Sequence, residues 1–175
     1  MRLINRNIIS AVILVFCSIA AGCMGSENQS NAVTATTVIL IRHVERDNFF
    51  VVTAEGHARA RALVDAVGEM GITAIYSPDL ERNLKTVSPL AEHLKIKITL
   101  TPRISAPTID KIVTDILTNH RGEVVLLVGN GSANLQALHQ RLGGNGEGPY
   151  QYGDMFIYTI SDNGRVTVIK SRYGS

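Results

Sequence analysis

Thr37-Val38-Ile39-Leu40-Ile41-Arg42-His43-Val44-Glu45 runs from a β-branched, apolar stretch straight into an arginine, a histidine and a carboxylate. A short, continuously apolar run bounded by charge fits a strand buried on both faces. Arg42 and His43 then project from its C-terminal end, where open α/β sheets bind their ligands. An arginine there can grip an anion, and a histidine beside it can act as a nucleophile.

Working outward, strand and helix signals alternate. A helix is predicted over residues 54–70, with Ala60, Leu63, Val67 and Met70 on one stripe and Gly71 closing it. Ala74–Ser77 reads as a strand, and Pro78-Asp79 as the opening of the next helix. Along that helix Leu80, Leu84, Val87, Ala91 and Leu94 form a long apolar stripe. Residues 96–100 are a third strand, and Ile109, Ile112, Val113, Ile116 and Leu117 mark a third helix. Val124–Val128 repeats the apolar character of the first strand, and residues 132–142 follow as a fourth helix. Two last strands, 155–160 and 166–170, flank Asp162-Asn163-Gly164, a hairpin signal. The fold class expected is α/β: three layers, a mainly parallel sheet flanked by helices, with a C-terminal β-hairpin. Three polar clusters then fall on one rim: Arg42-His43, Gly129-Asn130, and Ser77-Pro78-Asp79 just before Arg82.

The N-terminal segment has a different character. Arg2 and Arg6 precede an uncharged apolar stretch from Ile8 to Ala21, which closes on Ala20-Ala21-Gly22-Cys23. It is short for a membrane span, which needs about 20 apolar residues. Small residues directly before a cysteine resemble the lipobox of bacterial lipoproteins, although Ala20 stands where leucine is usual. Residues 1–22 are thus expected to be a lipoprotein-type signal peptide, with Cys23 the lipidation site. Residues 23–36 would be a flexible tether, and 37–175 one domain. Simple secretion or a retained anchor is the alternative. In a Gram-negative host, Met24 after the cysteine implies an outer-membrane lipoprotein facing the periplasm.

From Cys23 onward 15 basic residues balance 15 acidic ones, and no basic block appears, which argues against a nucleic-acid partner. Cys17 and Cys23 are the two cysteines, so the domain holds no disulfide. The scattered histidines His57, His93, His120 and His139 form no metal motif and are expected on helices, solvated or half-buried. Gly129-Asn130-Gly131 does not continue into a dinucleotide fingerprint, because Asn134 stands at the third glycine position. No metal or organic cofactor is expected.

Several segments in order resemble the histidine phosphatase superfamily, also called phosphoglycerate-mutase-like. They are Arg42-His43-x-Glu45, Thr53–Ala60, Ile75–Thr86, Val125–Gly129, Tyr152–Phe156 and Arg172-Tyr173-Gly174. The absence of a long lid insertion resembles the family's short phosphatase members. The resemblance implies that His43 accepts a phosphoryl group, that Arg42 and Arg82 bind it, and that a second histidine follows the fourth strand. Asn130 occupies that last position, beside Gly129. An amide can donate a hydrogen bond but carries neither charge nor a transferable proton. Glu45 and Asp47 lie close enough in sequence to be considered as general acid; Glu45 is retained as the candidate, with a local partner to a cation as its other reading. The expected activity is phosphate monoester hydrolysis, weakened by Asn130. The alternative is a non-catalytic binder of phosphorylated ligands. The expected partner is a phosphorylated small molecule or an envelope phosphoester, with the membrane reached through the lipid anchor.

Overall fold

A computed structural model describes residues 34–174. The proposed signal peptide, Cys23 and most of the proposed tether lie outside them. Ten elements follow one another: β1 (Ala35–Arg42), α1 (Ala54–Val67), β2 (Ile72–Pro78), α2 (Glu81–Leu94), β3 (Ile98–Thr101), α3 (Ala106–Asn119), β4 (Val124–Gly129), α4 (Ser132–Arg141), β5 (Asp154–Ser161) and β6 (Val166–Arg172). They build one six-stranded sheet in the order β3-β2-β4-β1-β5-β6. β3, β2, β4 and β1 run parallel, and β5 and β6 are antiparallel at one edge. This is the expected three-layer arrangement with its C-terminal hairpin.

The central strand shows why its sequence has no polar alternation. Val38 and Leu40 enter one core with α3 and α4, while Ile39 and Ile41 enter the other with α1 and α2. All four are fully buried. Burying each such side chain is worth about 2 kcal/mol, so strand identity and register are strongly specified.

Some boundaries differ from the sequence reading. β1 begins at Ala35, so Ala35 and Thr36, assigned above to the tether, belong to the sheet. Thr36 Oγ1 donates to His120 O and accepts from the Gly122 N–H, fastening the strand's start to the turn before β4. α1 stops at Val67 with Gly68 as its cap, ahead of Gly71. α2 starts at Glu81, because Pro78 and Asp79 finish the strand and its turn.

Two close approaches position the rim. In α1, capped by Thr53 Oγ1 accepting from Gly56 N–H, a Cβ at Gly56 would lie 2.4 Å from the Glu45 carbonyl oxygen. Only glycine lets the helix sit that tightly under the loop after β1. At the end of β4, a Cβ on Gly129 would lie 2.6 Å from Leu135 Cδ2, so α4 packs directly over the strand end.

Candidate functional site

The site forms where β1, β4 and α2 meet. The carbonyl of Gly129 accepts from the His43 N–H at 3.2 Å and from Asn83 Nδ2 at 3.3 Å. Val44 N–H donates to Thr86 Oγ1 at 3.0 Å, and that hydroxyl donates to the Arg82 carbonyl at 2.7 Å. The loop after β1 is thus tied to the first turn and a half of α2. This brings together Arg42, His43, Arg82, Gly129 and Asn130, which are far apart in sequence.

His43 is 3% exposed, and its Nδ1 lies 2.8 Å from the Val44 carbonyl oxygen. A carbonyl can only accept, so Nδ1 carries the proton and Nε2 keeps its lone pair in the neutral ring. Burial is the largest influence on its proton affinity. The bond to Val44 opposes burial, and the charges of Arg82, Arg42 and Arg46 add to it, leaving the pKa lowered to about 4. At neutral pH the ring is therefore uncharged and nucleophilic.

Arg42 lies with its guanidinium carbon 4.4 Å from the centre of the Tyr152 ring and donates from Nη1 to the Tyr150 carbonyl. Tyr152 also flanks His43, ring centre to ring centre 5.7 Å. Arg82 is half-buried, and its proton affinity falls through burial and through the nearby charges of Arg46 and Arg103. The Nε atoms of Arg42, Arg46 and Arg82 are buried without a hydrogen-bond partner, as is Asn130 Oδ1. None of Arg42, Arg46, Arg82 or Arg103 pairs with a carboxylate among the described residues. Like charges collected around a neutral histidine, with no counterion from the chain, make a receptor for an anion of high charge density.

Glu45 is corrected by the structure. Its carboxylate accepts from Arg59 Nε at 2.7 and 3.0 Å and pairs with Arg59 Nη2 at 2.7 Å. Arg59 Nη1 in turn donates to the carbonyls of Tyr173 and Gly174, so this pair clamps the C-terminal segment to α1. Glu45 is a structural partner, its carboxylate committed to a guanidinium, and so it is not retained as general acid. Asp47 is committed too: its Oδ1 accepts from the N–H groups of Phe49 and Val51, each at 2.9 Å.

His139 differs from expectation as well. It is fully buried, with Nδ1 2.6 Å from Tyr158 Oη and Nε2 3.1 Å from the Asn145 carbonyl. It holds the loop after α4 in place. His57 and His93 are exposed, and His120 caps α3 between Tyr76 and Glu123.

Sequence reasoning missed Arg46 and Tyr152 as members of the rim. Arg46 was visible four residues after Arg42, but a single arginine in a polar loop carries no periodic signal. Tyr152 reaches the rim only where the chain returns into β5.

A family model described as histidine phosphatase superfamily (branch 1) matches residues 38–105. No curated protein matches the chain by sequence. Solved structures do match in fold. Bacillus stearothermophilus YhfR is 20% identical, with a TM-score of 0.65, over 77% of this chain and 95% of that one. The protein histidine phosphatase SixA complexed with tungstate is 12% identical, with a TM-score of 0.66, over 78% of this chain and 96% of its own. A mycobacterial glucosyl-3-phosphoglycerate phosphatase in complex with VO3 is 15% identical, with a TM-score of 0.64, over 76% and 96%. The family model thus covers the first half of the folded domain, and the solved structures share its fold.

Proposed function

We propose that the chain hydrolyses phosphate monoesters through a phosphohistidine on His43. The observation that carries this reading is the neutral imidazole, its Nδ1 proton held by Val44, set among Arg42, Arg46 and Arg82. The arginines bind the phosphoryl oxygens, and Nε2 attacks phosphorus as the ester oxygen departs. The N–H of Nδ1 stays on Val44 O and stabilises the positive ring that forms. Water then attacks phosphorus, the P–N bond breaks, and its electron pair returns to Nε2. The similar structures that hold tungstate and VO3, both phosphate-like oxyanions, favour the same use of this rim.

Asn130 supports a second reading, a phospholigand-binding pseudoenzyme. Its Oδ1 is buried and unpartnered at the end of β4, in the place where the family resemblance expects a second histidine. Loss of one preorganised donor costs roughly a hundred- to a thousand-fold in rate, and a neutral amide recovers part of that. We further propose export and a lipid anchor at Cys23, supported by the sequence of residues 1–23 alone.

The test is hydrolysis of p-nitrophenyl phosphate by the full chain, with His43→Ala and Asn130→His beside it. Turnover that vanishes in His43→Ala supports the hydrolase. A silent wild type that still binds vanadate, and becomes active as Asn130→His, supports the pseudoenzyme. No binding and no turnover in any form would sink both.

A further inference from the structure

Large apolar side chains that face solvent are gathered at one end of the sheet. Among the described residues they are Phe49, 85% exposed, Tyr150, 61% exposed, and Phe50, Val51, Leu100 and Ile169. All but Ile169 lie where the parallel strands finish. Phe49, Phe50 and Val51 follow β1, Leu100 is next to the end of β3, and Tyr150 comes just before β5, which starts beside Ile41. Single exposed apolar residues need no explanation, but a cluster marks a binding surface.

The loop after β1 is built to hold its aromatics out of the core. Asp47 N–H donates to the Val51 carbonyl at 2.9 Å, the Asp47 carbonyl accepts from Phe50 N–H at 3.1 Å, and Asp47 Oδ1 accepts from the N–H groups of Phe49 and Val51. Phe50 is kept at a φ of +67°, a left-handed conformation unusual for a bulky residue. A strained residue held by so many bonds points to a use for the loop. Each pocket arginine has one of the exposed aromatics beside it. The Phe50 ring centre is 4.4 Å from Arg46 Cζ and 5.6 Å from Arg82 Cζ, and the Tyr150 ring centre is 5.9 Å from Arg42 Cζ. None of the three arginines pairs with a carboxylate among the described residues. Asp79, exposed at the end of β2, pairs with none of them, and a single carboxylate does not cancel three guanidiniums. Exposed rings among unpaired cations suit a bilayer surface, with the rings at the level of the headgroups and the guanidiniums on phosphates.

We propose that this rim docks on an anionic phospholipid bilayer through Phe49, Phe50, Val51 and Tyr150, and, resting on the phosphohistidine reading, that the substrate is a lipid whose headgroup is a phosphate monoester. The length of the N-terminal chain permits this. β1 runs from Ala35 at the far end of the sheet to Arg42 at the rim, about 25 Å. The chain from Cys23 to Ala35 reaches at most about 40 Å, so an anchor at Cys23 allows the rim to turn onto the same membrane. Transfer of the phosphoryl group to Nε2 breaks the headgroup's ester P–O bond. The lipid's alcohol oxygen keeps the electron pair and takes a proton from water, and the hydroxide equivalent left behind resolves the phosphohistidine to inorganic phosphate.

The chain has no tryptophan, so Phe49→Trp places a single fluorophore on the loop. Arg165→Trp places one at the opposite end of the sheet, where the Arg165 carbonyl accepts from Ser161 N–H and Ser161 pairs with Ala35. The full chain is mixed with phosphatidylcholine vesicles holding about 30% phosphatidylglycerol. Emission from Phe49→Trp is expected to move to the blue and to be quenched by lipids brominated in their acyl chains, with neither change in Arg165→Trp. No response from Phe49→Trp, or an equal one from both, would overturn the docking and leave the patch to a protein partner. Phosphatidic acid in the same vesicles carries the reacting group of glycerol phosphate, and its kcat/KM is expected to be higher by at least about tenfold. Phe49→Ser should remove that advantage while changing p-nitrophenyl phosphate hydrolysis by less than about twofold. Glycerol phosphate used as well as phosphatidic acid would overturn the lipid substrate and leave the hydrolase standing. Quenching without turnover of any substrate would remove the hydrolase reading and the lipid substrate, and support the docking surface alone.

Discussion

Replacing His43 with glutamine should make the fold less sensitive to acid. The His43 imidazole has a folded pKa of about 4 against an ordinary 6.5. Between those values the unfolded chain binds a proton that the folded one does not, so stability falls as pH drops from 6.5 towards 4. Below pH 4 both states are protonated and the loss stops growing. The gap corresponds to roughly 3 kcal/mol at pH 4, or about 2 kcal/mol after allowing for solvent screening. The assay is urea unfolding of wild type and His43→Gln at pH 7, 6, 5 and 4. Wild type should lose about 2–3 kcal/mol more than the variant across that range, most of it between pH 6 and 4. An NMR titration of the imidazole gives the same quantity directly. Parallel pH profiles for the two proteins, or a ring titrating near its ordinary value, would refute the account of a desolvated, arginine-flanked neutral histidine. Phosphate adds a further check: an anion among the arginines offsets their charge, so saturating phosphate should raise the His43 pKa.

Arg82→Ala should weaken vanadate or phosphate binding by about 10- to 100-fold, since a charge-assisted hydrogen bond is worth about 1.5–3 kcal/mol; calorimetry reads this. Glu45→Gln should lower the melting temperature by loosening the Arg59 clamp on Tyr173 and Gly174, while the shape of the pH–rate profile stays the same; a lost basic limb would restore Glu45 as an acid. Gly56→Ala should destabilise by about 1–3 kcal/mol, because its Cβ meets the backbone of Glu45 and cannot be accommodated by a rotamer change; thermal unfolding measures it. Cys23→Ser should abolish metabolic labelling with palmitate in a bacterial host, and persistent labelling would rule out Cys23 as the anchor.

The sequence by itself determined the alternation of elements, and through it the fold. Val38 to Ile41 are all apolar because the strand they form has a helical layer on each side, a property local composition records directly. It also determined the two strand-end clusters, because residues at the C-terminal end of a parallel strand face the ligand rim in any such sheet. Arg42, His43 and Asn130 were legible for that reason. Only the tertiary structure decided what each side chain could do there. Glu45 stands two residues from His43, yet its partner is Arg59, fourteen positions away and one helix face over. Arg46 acquires meaning through Arg82 and Phe50, which no spacing rule connects. His139 reads as an ordinary residue of a helix, and packing buries it against Tyr158. Proton affinity and pairing depend on which groups meet across the sheet and how much water is left between them, and those are properties of the folded chain.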